Sequence, residues 1–395
     1  MYKIKDIEVY VTAPDGVNLV VVKVLTTEPG LYGLGCSTFT QRYAAVVSII
    51  KTYLKPFLIN KNVSNIEDIW NTAVVSGYWR NSSELNNALS GIDMALWDIK
   101  GKVANLPLFQ LFGGKCRSAI PLYTHAEGKT NQHLSENIYN LIEDGFQHIR
   151  CKVTSFSNNN FSIDPRSSSK PFHPKAYMKS TINMFEYLRG EFGDEIEFIH
   201  DVHERLTPSD AVTFSKNLEA FDLYYLEDVV PPEHKDWLSR IRQVTTTPIA
   251  IGELFTNPNE WLPLISQRLI DYIRIHISQI GGITPARKLV SLCEAFGIRI
   301  AWHGPIDLSP IGHAVNIHLD ISSINFGIQE WQYISQKTKE LFPGTPEVKN
   351  GYAYTNDKPG LGIEFNEIEA RKYPPNTELP SWTLIRLEDG TPIRP

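Results

Sequence analysis

An α/β barrel with an α+β domain ahead of it is the fold this sequence predicts, on three observations. Short apolar runs recur from about residue 118 onward, amphipathic helical patterns separate them, and the first third of the chain lacks that alternation. Strands alternating with helices argue for parallel βαβ units, and eight such units suggest closure into a barrel. At 395 residues the chain is long enough for two domains, or for one barrel with an appended module.

Along the first third, residues 2–12 and 18–26 alternate apolar and polar side chains as antiparallel strands do, and a third strand is expected near 31–37 after "TEPGLYG". The strongest helix is predicted in "SELNNALSGIDMALWDIKGKVANLPLFQLFGG". There Leu85, Leu89, Ile92, Ala95, Leu96 and Ile99 recur at three- and four-residue spacing until Pro107 and Gly113–Gly114 break the pattern. The eight barrel-strand candidates follow: "IPLYTH", "GFQHIRCKV", "IEFIHDV", "LYYLED", "TPIAIGE", "IDYIRIHI", "GIRIAWH" and "SINFGIQE". The polar stretch "SSSKPFHPK" at 167–175 lies in a long connection after the second of them, and such connections are usually lids or disordered. The tail after 370 carries several prolines and is expected to pack back on the first domain, which divides the chain into 1–117, 118–370 and 371–395.

Composition excludes several classes of function. With 42% hydrophobic and 21% charged residues and a net charge of −6, the chain offers neither a nucleic-acid-binding surface nor a polybasic membrane patch. No run of eighteen apolar residues is long enough to span a bilayer. "MYKIKDIEVYV" alternates like a strand and lacks the apolar run and cleavage site of a signal peptide. Cys36, Cys116, Cys151 and Cys293 are scattered without a CxxC pair, which suits a reducing cytoplasm.

In a barrel of this kind the chemistry gathers at the C-terminal ends of the strands. Three acids fall there: Asp201 after "EFIH", Glu227 after "LYYL" and Glu253 after "IAIG", each 26 residues from the next, about one βα unit. Successive strands would aim three carboxylates at one point, where they repel unless a cation neutralises them. An all-oxygen set favours a hard ion, Mg²⁺ before Ca²⁺ or Mn²⁺. The bland reading, each acid capping the helix after its strand, is weaker for Asp201, because Thr207-Pro208 already supplies a cap and a first-turn proline. Strand alternation puts His203 on the face of Asp201 and turns His200 toward the outer helices. His203 is the candidate general acid or base, since an unperturbed imidazole titrates near neutrality. Arg150 and Lys152 share a face in "HIRCKV", Arg274 and His276 share one in "DYIRIHI", and His303, Asp307 and Glu330 fall at or just after the last two strand ends. Arginine is the natural clamp for a carboxylate or hydroxyl-rich substrate, while His276 reads equally well as a supporting residue.

These residues resemble the enolase superfamily, in the branch of mandelate racemase and the acid-sugar dehydratases, with Asp201, Glu227 and Glu253 as the ligand set. The chain is most similar to mannonate dehydratases over nearly its whole length. The similarity shows in "YWRNSSELNNALSGIDMALWDIKGKVANLPLFQLFGGK", "HDVHERLTP", "LEDVVPPE", "TTTPIAIGE", "GGIT", "HGPIDLSP", "INFGIQE", "DKPGLG" and "RLEDGT". The resemblance implies an N-terminal α+β capping domain over a (β/α)7β-barrel, one Mg²⁺ per subunit, and a homo-oligomer acting on a small-molecule acid sugar. It implies removal of the proton α to a carboxylate and loss of the 3-hydroxyl as water, giving a 2-keto-3-deoxy acid. His203 would protonate the departing hydroxyl, and Arg150 would sit with the base. Arg274, His303, Asp307 and Glu330 would hold the sugar acid together with His203 and Glu253, and His125, Thr40 and Gln41 would reach in from the first strand and the cap.

Three departures from that pattern bear on activity. The family's base is a tyrosine about a dozen residues beyond the arginine, where this chain has "SFSNNNFSIDP"; Tyr177 reads as part of the next helix. Thr40-Gln41 stand where the family shows Asn-Gly, and "TPIRP" lacks the aromatic residue usual at the C-terminus. Lys152 keeps the second position of the superfamily's Lys-x-Lys pair and becomes the candidate base, with a salt-bridged lysine as the competing reading. Weak or no turnover of D-mannonate is expected, on a diverged substrate. A hydroxy-acid racemase or epimerase, and a non-catalytic acid-sugar-binding relative that keeps the metal site, are the alternatives.

Overall fold

Two sheets organise the computed structural model, which describes residues 1–153, 171–378 and 384–394. The tyrosine-free stretch 155–165, residues 167–170 of the polar stretch, and Pro395 lie outside the described residues. The first sheet is an antiparallel meander of β1 (Ile4–Thr12), β2 (Leu19–Thr26) and β3 (Tyr32–Cys36). The helix Ser83–Ala104 packs across β3 at very short range: a Cβ on Gly33 or Gly35 would stand 1.9 Å from a carbonyl oxygen of that helix. Its start is capped by Ser82 Oγ, which accepts from Leu85 N at 3.3 Å, and Asn105 ends it in the left-handed region.

The same helix ties this domain to the barrel. Asp93 accepts from Thr284 N at 2.9 Å and Thr284 Oγ1 at 2.5 Å, Trp97 Nε1 donates to Thr284 Oγ1, and Asn86 Nδ2 donates to the carbonyls of Thr256 and Gln279. These polar groups are buried and mutually satisfied, so they fix the position of the cap over the strand ends.

The barrel strands are β4 (Ile120–Gly128), β5 (His148–Val153), β6 (Glu197–Asp201), β7 (Tyr225–Glu227), β8 (Ile249–Ile251), β9 (Tyr272–Ile273), β10 (Arg299–Ile300) and β11 (Gln329–Glu330). Each pairs in parallel with the next from β4 to β10, β11 pairs with β4, and an Ile300–Phe326 bridge links β10 to the segment just ahead of β11. A helix lies between each consecutive pair among the described residues, so the pattern is (β/α)7β. A hairpin of β12 (Glu347–Lys349) and β13 (Tyr352–Tyr354) extends the sheet antiparallel to the start of β4. No helix among the described residues is long and apolar enough to cross a membrane.

The tail meets both domains. Tyr373 and Asn376 do bond the first domain, at Ala13 and Asn18. The last residues instead return to the barrel: Arg386 O accepts from Phe172 N, and Arg394 stands 4.0 Å from Glu204 and 3.5 Å from Glu233. The acidic loops at the barrel mouth give Arg394 a partner on that side, a pairing between distant segments that periodicity does not reveal.

Candidate active site

The barrel interior is built in layers. Tyr123, Ile199, Tyr225, Tyr272, Ala301 and Ile328 form its apolar floor, and two residues further along each strand stand His125, Asp201, Glu227, Arg274, His303 and Glu330. The two-residue period of a strand carries an apolar layer into a charged one without turning any side chain outward.

Two guanidinium groups hold the charged layer together. Arg150 Nη1 lies 3.1 Å from Asp201 Oδ2 and 3.0 Å from Glu227 Oε1. Arg274 Nη1 lies 2.8 Å from Glu227 Oε1 and 3.3 Å from Glu253 Oε2, while its Nη2 bonds Glu330 Oε2 at 2.7 Å and Tyr123 at 2.9 Å. Arg274, expected as a substrate clamp, is wholly buried beneath the cavity, its charge met by Glu227, Glu330, Glu253 and Asp228. Burial pushes Glu227 up to about 8, with Arg274 opposing. Burial acts the same way on Asp201, but His203, Arg150, Arg205 and Arg274 together hold it below the usual carboxylate range.

The residues fit a hard divalent cation. Carboxylate oxygens of Asp201, Glu227 and Asp228 lie within 4.8 Å of one another, and Asp228 Oδ2 is buried with no hydrogen-bond partner among the described residues. Glu253 stands outside that tight group and joins it through Arg274, so the expected triad is close but not the most compact set. Asp228 is a residue that sequence reasoning passed over. Alternation after Glu227 turns it outward, yet its φ of 41° bends the chain so that it lies within reach of Arg274, 3.7 Å away. Its Oδ1 accepts from Gly252 N at 3.3 Å, and Oδ2, the oxygen facing Arg274, has no hydrogen bond among the described residues.

Above this layer opens a cavity of about 870 Å³, a volume suited to a small molecule. Asp201, His203, Glu253, His303, Asp307 and Glu330 line it, with His125, Arg150, Lys152, His276 and Gln41. Thr40 opens the short turn Thr40–Arg42 at the edge of the cap.

His203 gets there by a route other than strand alternation. β6 ends at Asp201, and His203 and Glu204 have φ of 53° and 60°. Asp201 Oδ1 accepts from His203 N at 2.7 Å, closing a local turn that brings the ring's Nε2 to 3.7 Å from Glu253 Oε1. His200 lies on the other side of β6 among Phe185, Phe214 and Tyr177. Its Nδ1 faces Cys151 O at 3.4 Å, so that nitrogen donates and Nε2 accepts from the Tyr177 hydroxyl at 2.8 Å. Tyr177, in the helix Pro174–Phe192, thus spends its hydroxyl on His200.

His303 Nε2 lies 3.3 Å from Glu253 Oε2 and 3.7 Å from Glu330 Oε2. His276 Nδ1 accepts from Ser278 N at 3.0 Å, and its ring meets that of His303 edge-on, a supporting place rather than a reactive one. Lys152 Nζ stands 3.6 Å from Glu127, and burial lowers its pKa while Glu127 opposes the shift. Gln332, also unremarked in the sequence, touches His125 from the cavity wall. A polar residue two positions beyond Glu330 was the available signal.

The chain matches two family models: "Mandelate racemase / muconate lactonizing enzyme, N-terminal domain" over residues 3–113 and "Enolase C-terminal domain-like" over residues 133–369. It is 54% identical to a D-galactonate dehydratase family member of Enterococcus gallinarum, covering 99% of this chain and 98% of the relative. It superposes with a TM-score of 0.95, at 50% identity and over the whole of both chains, on the crystal structure of an enolase from Pantoea ananatis with bound D-gluconate and Mg. An enolase of Agrobacterium radiobacter, 23% identical over the whole of both chains with a TM-score of 0.87, shares the fold. The motifs had pointed to mannonate dehydratases; the E. gallinarum relative carries the D-galactonate name instead.

Proposed function

We propose, for a chain that belongs to the D-galactonate dehydratase family of the enolase superfamily, that it is a Mg²⁺-dependent dehydratase of a six-carbon sugar acid of the gluconate kind. The observation that carries this reading is the convergence of Asp201, Glu253, His203 and His303 on one cavity, with Lys152 on its wall and Glu227 in the charged layer just beneath. The Pantoea ananatis enolase, half identical to this chain, holds D-gluconate and Mg.

Asp201, Glu227 and Glu253 would hold the cation: Asp201 and Glu253 line the cavity and Glu227 lies just beneath it between Arg150 and Arg274, while Asp228 is tied to Gly252. A divalent cation held there would supply a Lewis acid beside the substrate carboxylate, lowering the cost of the charge that develops on it. Lys152 takes the proton α to the carboxylate, its basic form favoured by burial. His203 gives a proton to the 3-hydroxyl, the C3–O bond breaks, and water leaves. The enol product ketonises as C3 gains a proton and the 2-hydroxyl loses one, and the proton held by Lys152 returns to His203 through solvent. His303, Asp307, Glu330 and Gln41 would hold the sugar hydroxyls from the cavity wall.

The test is turnover of D-gluconate, D-galactonate and D-mannonate with Mg²⁺, read as 2-keto-3-deoxy acid. Product from D-gluconate, lost in Lys152→Met and without added metal, is expected, with little or none from D-mannonate. Family-like turnover of D-mannonate by the unmodified protein would refute the substrate assignment, and full activity of Lys152→Met would refute the base.

A further inference from the structure

Among the described residues two arginines line the cavity, Arg150 and Arg205. Arg150 bridges Asp201 and Glu227 through Nη1 and turns Nη2 to His125 Nδ1 at 3.1 Å. Arg205 makes no ion pair and no side-chain hydrogen bond among the described residues. Its Nε is buried, so the edge left for a partner is the Nη pair. The turn that delivers His203 also raises Arg205. The left-handed residues His203 and Glu204 precede it, Glu204 N donates to Asp228 O at 2.9 Å, and Arg205 N donates to Val202 O at 3.4 Å. The groups around the guanidinium are spent elsewhere: Asp201 accepts from Arg150 at Oδ2 and from His203 N at Oδ1, and Tyr177 and His200 bond each other. A guanidinium half-buried in a wall is costly unless something in the cavity meets its charge.

We propose that Arg205 is a substrate-binding residue: its Nη pair takes the carboxylate of the acid sugar. The inference rests on the dehydratase reading, which sets that carboxylate beside Asp201 with its α-proton in reach of Lys152. Arg205 neighbours both. Burial raises the pKa of Asp201, and His203, Arg150 and Arg205 in turn pull it down. Burial lowers that of Lys152, Glu127 opposes the shift, and Arg205 adds to the lowering ahead of Arg150. The charge of the cavity calls for such a partner. Asp201, Glu253, Asp307 and Glu330 line it, so an anion enters against these carboxylates. Arg274 lies wholly buried beneath, and Arg150 is held by Asp201 and Glu227. A planar guanidinium meets a carboxylate through two parallel N–H···O bonds, so Arg205 would select the shape of the group as well as its charge. In this reading one turn, 203–205, serves both the carboxylate and the departing hydroxyl.

Binding decides the proposal separately from turnover. Calorimetry on the full chain with Mg²⁺ compares D-gluconate with D-glucitol, the same carbon chain with an alcohol in place of the carboxylate. The proteins are the unmodified chain, Arg205→Gln and Arg205→Lys, with circular dichroism reporting that each is folded. Arg205→Gln should weaken D-gluconate roughly ten- to a hundredfold, as loss of hydrogen bonds to a charged group does, and leave D-glucitol and Mg²⁺ affinity as they were. Arg205→Lys keeps the charge without the paired bonds and should fall between; if Arg205→Gln does not fold, a severalfold loss in Arg205→Lys carries the test. Unchanged D-gluconate affinity in the variants overturns the proposal. An equal loss for D-glucitol, which would make Arg205 a hydroxyl contact, overturns it too, as does a matching fall in Mg²⁺ affinity. Absence of turnover with this binding pattern intact counts against the dehydratase reading alone. Turnover that survives Arg205→Gln with KM unchanged counts against Arg205 alone.

Discussion

The two faces of β6 meet opposite surroundings, charged on one side and aromatic on the other. Asp201 stands in the field of three arginines and a histidine, and charge decides everything about it. His200, the adjacent residue, is enclosed by Tyr177, Phe185 and Phe214 and makes two neutral hydrogen bonds. One face is arranged for charge to develop, the other for packing. The same residue type can therefore face carboxylates at His203 and lie among aromatic rings three positions earlier, and what separates them is backbone geometry rather than chemistry.

The largest effect expected on the charged face is that of Glu227→Gln. It removes a carboxylate shared by Arg150 and Arg274, and turnover should fall by roughly a hundredfold or more. Calorimetry should show weakened Mg²⁺ binding; unchanged affinity would take Glu227 out of the ligand set. His203→Asn should cost about 10²–10⁴ in kcat and leave Mg²⁺ binding and the circular dichroism spectrum as they were. A variant that still turns over normally would move the acid role to His303.

His200→Phe addresses the opposite face. It strands the Tyr177 hydroxyl and should destabilise the fold by about 1–3 kcal/mol in a denaturant titration, with Mg²⁺ affinity unchanged. Its pH signature has a definite sign. Burial holds His200 down at about 4, so the folded chain binds fewer protons than the unfolded one between that value and the usual histidine range. Its contribution is therefore present at neutral pH and lost as the pH falls from about 6.5 through 4. Replacing it should flatten that part of the melting-temperature profile, and an equally steep profile would assign the acid sensitivity to other buried histidines. The smallest effect belongs to a site away from β6. Ser82→Ala removes the cap of the helix that seats the first domain and should cost about 1 kcal/mol of stability with the barrel-mouth chemistry unchanged.

The eight barrel strands and the long helix Ser83–Ala104 were legible in the sequence, because the period of two and the three-to-four spacing are local properties of a chain with one buried face. So was the position of Asp201, Glu227 and Glu253 at successive strand ends, although the tightest group of carboxylates takes Asp228 in place of Glu253. What only the tertiary structure decided was depth and direction. Arg274 has the strand parity of a cavity residue yet lies under it, since four carboxylates and a tyrosine meet its charge there. Asp228 and His203 depend on left-handed backbone that no side-chain pattern announces. His125 meets Arg150, Glu330 and Gln332, which stand 25, 205 and 207 positions away in the chain. Periodicity states which way a side chain points from its own strand. Which charges it meets depends on how far apart closure sets the strands, and that distance is a property of the whole barrel.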